Sequence, residues 1–264
     1  MAPAYGTNVE RATRSAHPDV RRVDFADLKD AIVKGVADFN AMPTHYFYLA
    51  IIYPIVTFSI VAFYGDLDLL PLIFPLLAGY TIIGPLIATG TYELSRRREF
   101  GRYTSRANAF LVFKSHSIHA ITILGIFLMM IYFAWLFLAR VIYEQHFGTV
   151  APESYSAFVS QLLTPDGLSL IVIGSVIGGA FAVIVLSISV VSFPMLLDQD
   201  VGIIISVRTS VKAVITNPLI MAAWGLIVAV SLLAGTLVAF AGLSVVLPVL
   251  GHSTWHLYRK MVES

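Results

Sequence analysis

The chain has no cysteine. That excludes disulfides, iron–sulfur clusters, thiolate zinc sites and covalently attached c-type haem. Charge is scarce as well. Only 12% of residues are Asp, Glu, Lys or Arg, against about 25% in an ordinary soluble domain. The formal net charge is +1, which points to no nucleic acid and no acidic partner. No Gly-rich phosphate loop, nucleophile motif or His-Glu-x-x-His is present. No signal peptide is expected either: the opening residues are polar and carry Arg11, Arg14, Arg21 and Arg22, and no apolar run begins before Tyr46.

What the chain has is apolar sequence. Hydrophobic residues make up 58% of it, and the mean hydropathy is +0.82. A soluble core of this length cannot bury that much apolar surface, so a bilayer must take it up. The pattern predicts an all-α polytopic membrane protein with six transmembrane helices in three hairpins. The spans fall at about 46–64, 69–92, 118–139, 168–193, 218–235 and 237–258. Residues 1–23 read as a polar, flexible N-terminal tail, and 24–264 as the six-span membrane domain.

Each hairpin is preceded by an amphipathic helix suited to lie at the interface. The first covers Asp24 to Ala41 with the stripe Phe25, Leu28, Ile32, Val36 and Phe39. The second lies in the basic stretch Glu93 to Lys114, with Tyr103, Ala107, Phe110 and Leu111. The third follows Pro194, with Ile204, Val207, Val211 and Val214 or Ile215. Pro85, Pro194 and Pro248 recur near the ends of the even-numbered spans. This invites a threefold internal repeat, although any six-span chain shows echoes of this kind. With both termini placed in the cytoplasm, all of the 17 Lys and Arg except Arg140 fall on the cytoplasmic side, and an even number of spans agrees. Residues 140–167 are then the longest loop between spans. The longest segment outside the membrane is the N-terminal 45 residues, too short for a soluble catalytic domain, so no enzyme is expected.

No ionisable residue lies in the middle of a predicted span, which argues against a pump or a proton-driven antiporter. A lipid flippase or a neutral-solute path stays open. The histidines gather at one depth: His45, His116 and His119 at the starts of spans, His252 and His256 at the end of the last. His252 and His256 share a helix face, as do His116 and His119. Counting from the prolines, Asp198 and His252 stand four residues on, and Glu93 and His256 eight. If the hairpins pack around a pseudo-threefold axis, Glu93, Asp198, Asp200, His252 and His256 converge.

Such a cluster has the chemistry to bind a divalent metal, with His116, His119, His252 and His256 as candidate ligands. It also has the chemistry to bind a phosphate headgroup, with help from Arg259 and Lys260. The plainer reading is that Trp255, Tyr258 and the basic residues are the usual population of a membrane interface. No cofactor is required by the sequence, and haem or a divalent metal stays open. Gly174 and Gly178 share one face of the fourth span, a close-packing pattern expected to serve packing within the protomer.

The segments Ser192-Phe-Pro-Met-Leu-Leu-Asp198, Thr209-Ser210, Asn217-Pro218, Ala223-Trp224-Gly225 and Leu247-Pro-Val-Leu-Gly-His-Ser-Thr-Trp-His-Leu-Tyr-Arg259 resemble a bacterial family of integral membrane proteins of unknown function, domain of unknown function 2189. The resemblance extends over nearly the whole chain and is most specific in the last 70 residues. It implies a bacterial inner-membrane location. Some members carry a cytochrome c oxidase label. A haem–copper catalytic subunit needs histidines within its spans, and a binuclear copper subunit needs cysteines. This chain has neither, so the label implies an accessory or assembly partner of a respiratory complex. Three readings therefore stand: an accessory subunit of a membrane complex, a transporter or lipid-handling protein with a polar site at the cytoplasmic interface, and a haem or metal binder. In all three, membrane lipids surround the chain.

Overall fold

The computed structural model describes residues 18–44, 48–53, 55–56, 66–238 and 240–262. Within them the chain is helical, and the pairing of extended backbone is confined to a bridge between Val20 and Val262. Helix α1 spans Phe25–Ala41 and starts in a capping box, Asp24 with Asp27. A 3-10 turn, Leu67–Leu72, leads into α2, Ile73–Ile87. A kink at Ala88 joins α2 to α3, Thr89–Glu99. A second 3-10 helix, Arg106–Lys114, precedes α4, Ile118–Phe147. Then follow α5, Tyr155–Leu162, α6, Pro165–Ser189, α7, Ser192–Asp198, α8, Ile203–Thr216, α9, Pro218–Leu237, and α10, Leu243–Met261.

Among the described residues three helices are long and apolar enough to cross a membrane: Ile118–Phe147, Pro165–Asp198 (α6 continued by α7) and Pro218–Leu237. The expected first span, 46–64, is described only at residues 48–53 and 55–56, which are helical. Several helices run past the expected span ends. Beyond Tyr92, α3 carries helix on through Glu93 to Glu99. The helix of the third span runs eight residues further, to Phe147, held by the Arg140–Glu144 ion pair one turn apart (2.6 Å) and ended by Gly148 at φ 80°. Much of the expected 140–167 loop is thus helix. Its α5 is capped by Ser154 and packs Phe158 on Tyr143 and Leu70.

The expected flexible tail is docked at its last residues. Arg21 N–H donates to Met261 O (2.8 Å), Val23 N–H donates to Asn217 Oδ1 (2.8 Å), and Asn217 Nδ2 donates back to Arg21 O (3.0 Å). Residues 1–17 lie outside the described residues.

The buried faces of the amphipathic helices overlap their apolar stripes only in part: Leu28 is buried and Ile32, Val207 and Val214 pack against the core, while other stripe residues are exposed. On α1 the buried residues are Leu28, Ala31, Gly35 and Asp38, while Phe25 and Val36 are exposed. On α8 they are Ser206, Thr209, Ser210 and Ala213, while Ile204 and Ile215 are exposed. The stripe of the second stretch is a 3-10 helix with Tyr103, Phe110 and Phe113 exposed. The physical reason is the solvent. Lipid tails are as apolar as leucine, so large side chains gain nothing by turning inward, and small residues take the helix contacts because they let backbones approach.

Two glycines mark such approaches. A Cβ on Gly35 would lie 2.6 Å from Ser253 N, and one on Gly251 would lie 2.2 Å from Thr91 Oγ1. Through these contacts α1 and α3 both close on α10. The α1–α10 packing is the most extensive helix contact among the described residues. A Cβ on Gly178 would lie 3.2 Å from the Trp135 ring of α4, in keeping with packing inside the protomer, while one on Gly174 would meet nothing within 4 Å.

Candidate functional site

The last turns of α10 are enclosed. His252, Trp255, Leu257, Tyr258 and Met261 are all 0% exposed. Trp255 and Tyr258 are therefore core residues and not members of an interfacial belt. They are surrounded by α1, α3 and α7, and α3, α7 and α10 pack against one another.

Three polar networks tie these helices together. The first centres on Asp38 of α1, a carboxylate only 5% exposed. Ser95 Oγ of α3 donates to Asp38 Oδ2 (2.5 Å), and His256 Nε2 of α10 stands 2.8 Å from the same oxygen. Arg98 donates to Asp38 Oδ1 at 2.7 Å and to Ala37 O at 2.8 Å. His252 Nδ1 lies 2.7 Å from Ser95 Oγ. Ser95 has one proton and gives it to Asp38, so His252 must be the donor to Ser95, which assigns its proton to Nδ1. His252 Nε2 is left buried without a hydrogen-bond partner.

The second network centres on Asp198, at the end of α7. Its Oδ2 accepts from Tyr258 OH (2.9 Å) and Arg259 (3.1 Å), and Arg96 approaches Oδ1 at 3.9 Å. Arg96 also binds Glu93 (2.8 Å), while Glu99 accepts from Trp255 Nε1 (2.9 Å) and Arg259 Nε (3.0 Å). The third network is more open: Lys260 bridges Asp27 (2.9 Å) and Asp30 (3.0 Å) of α1.

The sequence-predicted residues are thus divided. Glu93, Asp198 and Arg259 meet in one network, and His252 and His256 meet in the other. Asp200 does not join either: it is 85% exposed, 3.8 Å from an equally exposed His116. His119 is exposed near the start of α4. His116 and His119 therefore do not gather with His252 and His256. Among the described residues no group of three or more His, Asp and Glu stands in an arrangement that would hold a metal ion.

Asp38, Ser95, Arg98 and Glu99 were not singled out from the sequence. Asp38 sat in a helix read as facing water, and Ser95 to Glu99 sat in a stretch not read as part of a core-packed helix. A usable signal existed. Ala31, Gly35 and Asp38 fall at helical spacing, and a small-residue face that ends in an acid is the mark of a close contact with a polar partner.

The chemistry of these networks is cohesive. Asp38, Asp198 and Glu99 each accept from two or more donors, and Asp38 and Asp198 are shut off from solvent. Burial works to raise the Asp38 carboxyl pKa. The hydrogen bonds from His256 and Ser95 and the charges of the two histidines outweigh it and hold the group below its ordinary 3.8. A group whose folded-state pKa is depressed adds stability that is fully present above the unfolded value and is lost as pH falls through the folded one. Thermal unfolding followed against pH should therefore hold steady through mild acid and weaken below about pH 4. In Asp38→Asn that acid limb should shrink.

Residues 73–198 match the family described as Predicted integral membrane protein (DUF2189). The match runs from the start of α2 to the end of α7. Of the motifs quoted above it includes Ser192–Asp198 and none of the later ones. It covers the α3 and α7 sides of the networks, with α1 and α10 outside it. No curated protein and no solved structure matches the chain. The chain is an integral membrane protein by this family match and by its apolar helices.

Proposed function

We propose that this integral membrane protein works by contact and not by catalysis, as an accessory or assembly partner within a larger membrane complex. One observation carries the reading. The residues that would have to build a polar site are bonded to one another instead, with side-chain exposures of 0% for His252, 6% for Asp198, 7% for Asp38 and 14% for His256, and so form a lock that fixes α1, α3, α7 and α10. A respiratory complex is the partner class in keeping with the cytochrome oxidase label noted above. The transport reading needs the polar cluster to open on a cavity, and the haem or metal reading needs the four histidines together; the geometry favours neither.

The proposed topology keeps six spans, a threefold repeat of interfacial helix and hairpin, and both termini in the cytoplasm of a bacterial inner membrane. The Val20–Val262 bridge supports an even number of crossings, since it holds the two ends of the described chain side by side. The positive-inside bias supports the cytoplasmic side. The lipid-facing exposure of Leu168, Val172, Val176 and Val183 on α6 leaves an apolar helix face for lipid or a partner span.

Co-purification tests the proposal. A tagged chain extracted from native membranes in mild detergent should bring a second membrane polypeptide in constant stoichiometry. Recovery of the folded chain alone, from cells in which it is natively expressed, would count decisively against it.

A further inference from the structure

A cavity of about 280 Å3 lies away from the polar networks, between the segment after α1, α3 and the second 3-10 helix. Thr44, Tyr48, Ile87, Thr91, Ala107 and Phe110 are among its walls. Among the described residues no carboxylate lines it. Its volume falls just under the roughly 300–1,000 Å3 of pockets that enclose a whole ligand. It suits one limb of a molecule whose remainder stays outside.

Its position in the chain defines its depth. Ile87 ends the apolar α2, and three turns of the charged α3 later come Arg96, Arg97 and Arg98. The cavity therefore sits where apolar sequence gives way to basic sequence, the level of lipid headgroups. On the 3-10 helix Ala107, Phe110 and Phe113 form one row, because residues three apart eclipse in that geometry. Phe110 and Phe113 stack with ring centres 6.4 Å apart and are 51% and 71% exposed. Tyr103 is 86% exposed; the exposed Arg102, 5.8 Å over the Phe100 ring, precedes it in the chain, and the exposed Lys114 follows Phe113. Aromatic rings with exposed cations at the edge of a bilayer select anionic lipid surfaces. Inside, Thr44 is 4% exposed and its hydroxyl has no hydrogen-bond partner. That leaves a donor free for an ester oxygen at the head of an acyl chain.

We propose that this cavity binds one acyl chain of an anionic phospholipid, with the phosphate held outside against Arg102 and Lys114. The site is independent of the accessory role above, and either can fail without the other. The ligand belongs to the cytoplasmic leaflet, and the residues that choose it are those of the loop and 3-10 helix between α3 and α4.

Photolabelling in nanodiscs tests this. The probes are phosphatidylglycerol and phosphatidylcholine carrying the same diazirine acyl chain, and labelled residues are mapped by mass spectrometry. The expected result is labelling within residues 87–94 and 107–110, stronger with phosphatidylglycerol. Ala107→Trp, at an exposed wall position, fills the cavity and should cut the labelling about tenfold. The double variant Arg102→Gln/Lys114→Gln, also at exposed positions, should keep the labelling and lose the preference for phosphatidylglycerol. Equal labelling of the wild type and Ala107→Trp overturns the proposal. So does equal labelling of the wild type by the two lipids. Thermal unfolding of each variant, checked against the wild type, ensures that a lost label reports the cavity and not the fold.

Discussion

Gly35→Leu should strip the protein of a large part of its stability. Even the first atom of a side chain at this position has no room. An added Cβ would lie 2.1 Å from Ser253 Oγ, 2.6 Å from Ser253 N and 2.8 Å from Ser253 Cα. A hydroxyl can turn away; the backbone of α10 cannot, because it is pinned from the other side by the contact of Gly251 with Thr91. Helix α1 must therefore move outward as a body. That weakens Asp38's bonds to Ser95 and His256, whose lengths of 2.5 and 2.8 Å leave no slack. Overpacking of a well-filled contact costs about 1–3 kcal/mol and occasionally more. Here the cost should lie at the top of that range, because packing and the polar network fail together. The measurement is the thermal unfolding midpoint in detergent. Gly174→Ala is the matched control. Nothing lies within 4 Å of a Cβ there, and replacing a helical glycine with alanine gains about 0.5–1 kcal/mol. A small rise for Gly174→Ala beside a large fall for Gly35→Leu would locate the effect at the α1–α10 crossing.

Asp38→Ala is the second large effect. The carboxylate is the common acceptor for Ser95, His256 and Arg98. Arg98 is 42% exposed and can return to water. Ser95 and His252 are 0% exposed and cannot. Removing one partner of a buried, hydrogen-bonded charge costs about 3–5 kcal/mol. With Arg98 free to rehydrate, the loss should sit at the lower end, about 3 kcal/mol. Asp38→Asn should cost less, since its amide oxygen still accepts, although the charge that attracts Arg98 is gone. A double-mutant cycle with Ser95→Ala gives a sharper reading. The two positions share a hydrogen bond, so their effects should fall short of additivity by about 0.5–3 kcal/mol. Simple addition would mean that the network is not the unit described.

Helices were legible in the sequence because their ends carry local chemistry. Asp24 caps α1, and Asn217-Pro218 closes α8 and opens α9 with a proline in the first turn, where its missing N–H costs nothing; Thr164-Pro165, which opens α6, falls in the stretch expected as loop. Faces were less legible. An apolar stripe in water marks the core. In a membrane protein it marks lipid just as well, so Phe25, Val36, Ile204 and Ile215 turned out exposed while Ala31, Gly35, Ser206 and Ser210 were buried. The register prolines placed Asp198, His252 and His256 on helix ends that meet. They did not show that the aspartate and the histidines belong to separate networks, or that Asp38 arrives from a helix 218 residues away in the chain to pair with His256. That pairing rests on a crossing fixed by Gly35 and Ser253: the Ala31, Gly35, Asp38 spacing marks the close-packed face of α1, but nothing in it names the helix that face meets.

The central claim is that the polar end of α10 is closed. The absence of native cysteine gives a clean background for testing it. The measurement is maleimide labelling of Ser95→Cys in membranes, with His116→Cys as the exposed reference. Ser95 is 0% exposed and His116 is 87% exposed. The account predicts that the Ser95→Cys thiol stays unlabelled in protein that still unfolds cooperatively, and labels only once denatured. Labelling at the rate of the His116→Cys thiol in folded protein would mean that water reaches the Asp38 network. The cluster would then be an open site, and the lock described above would be wrong.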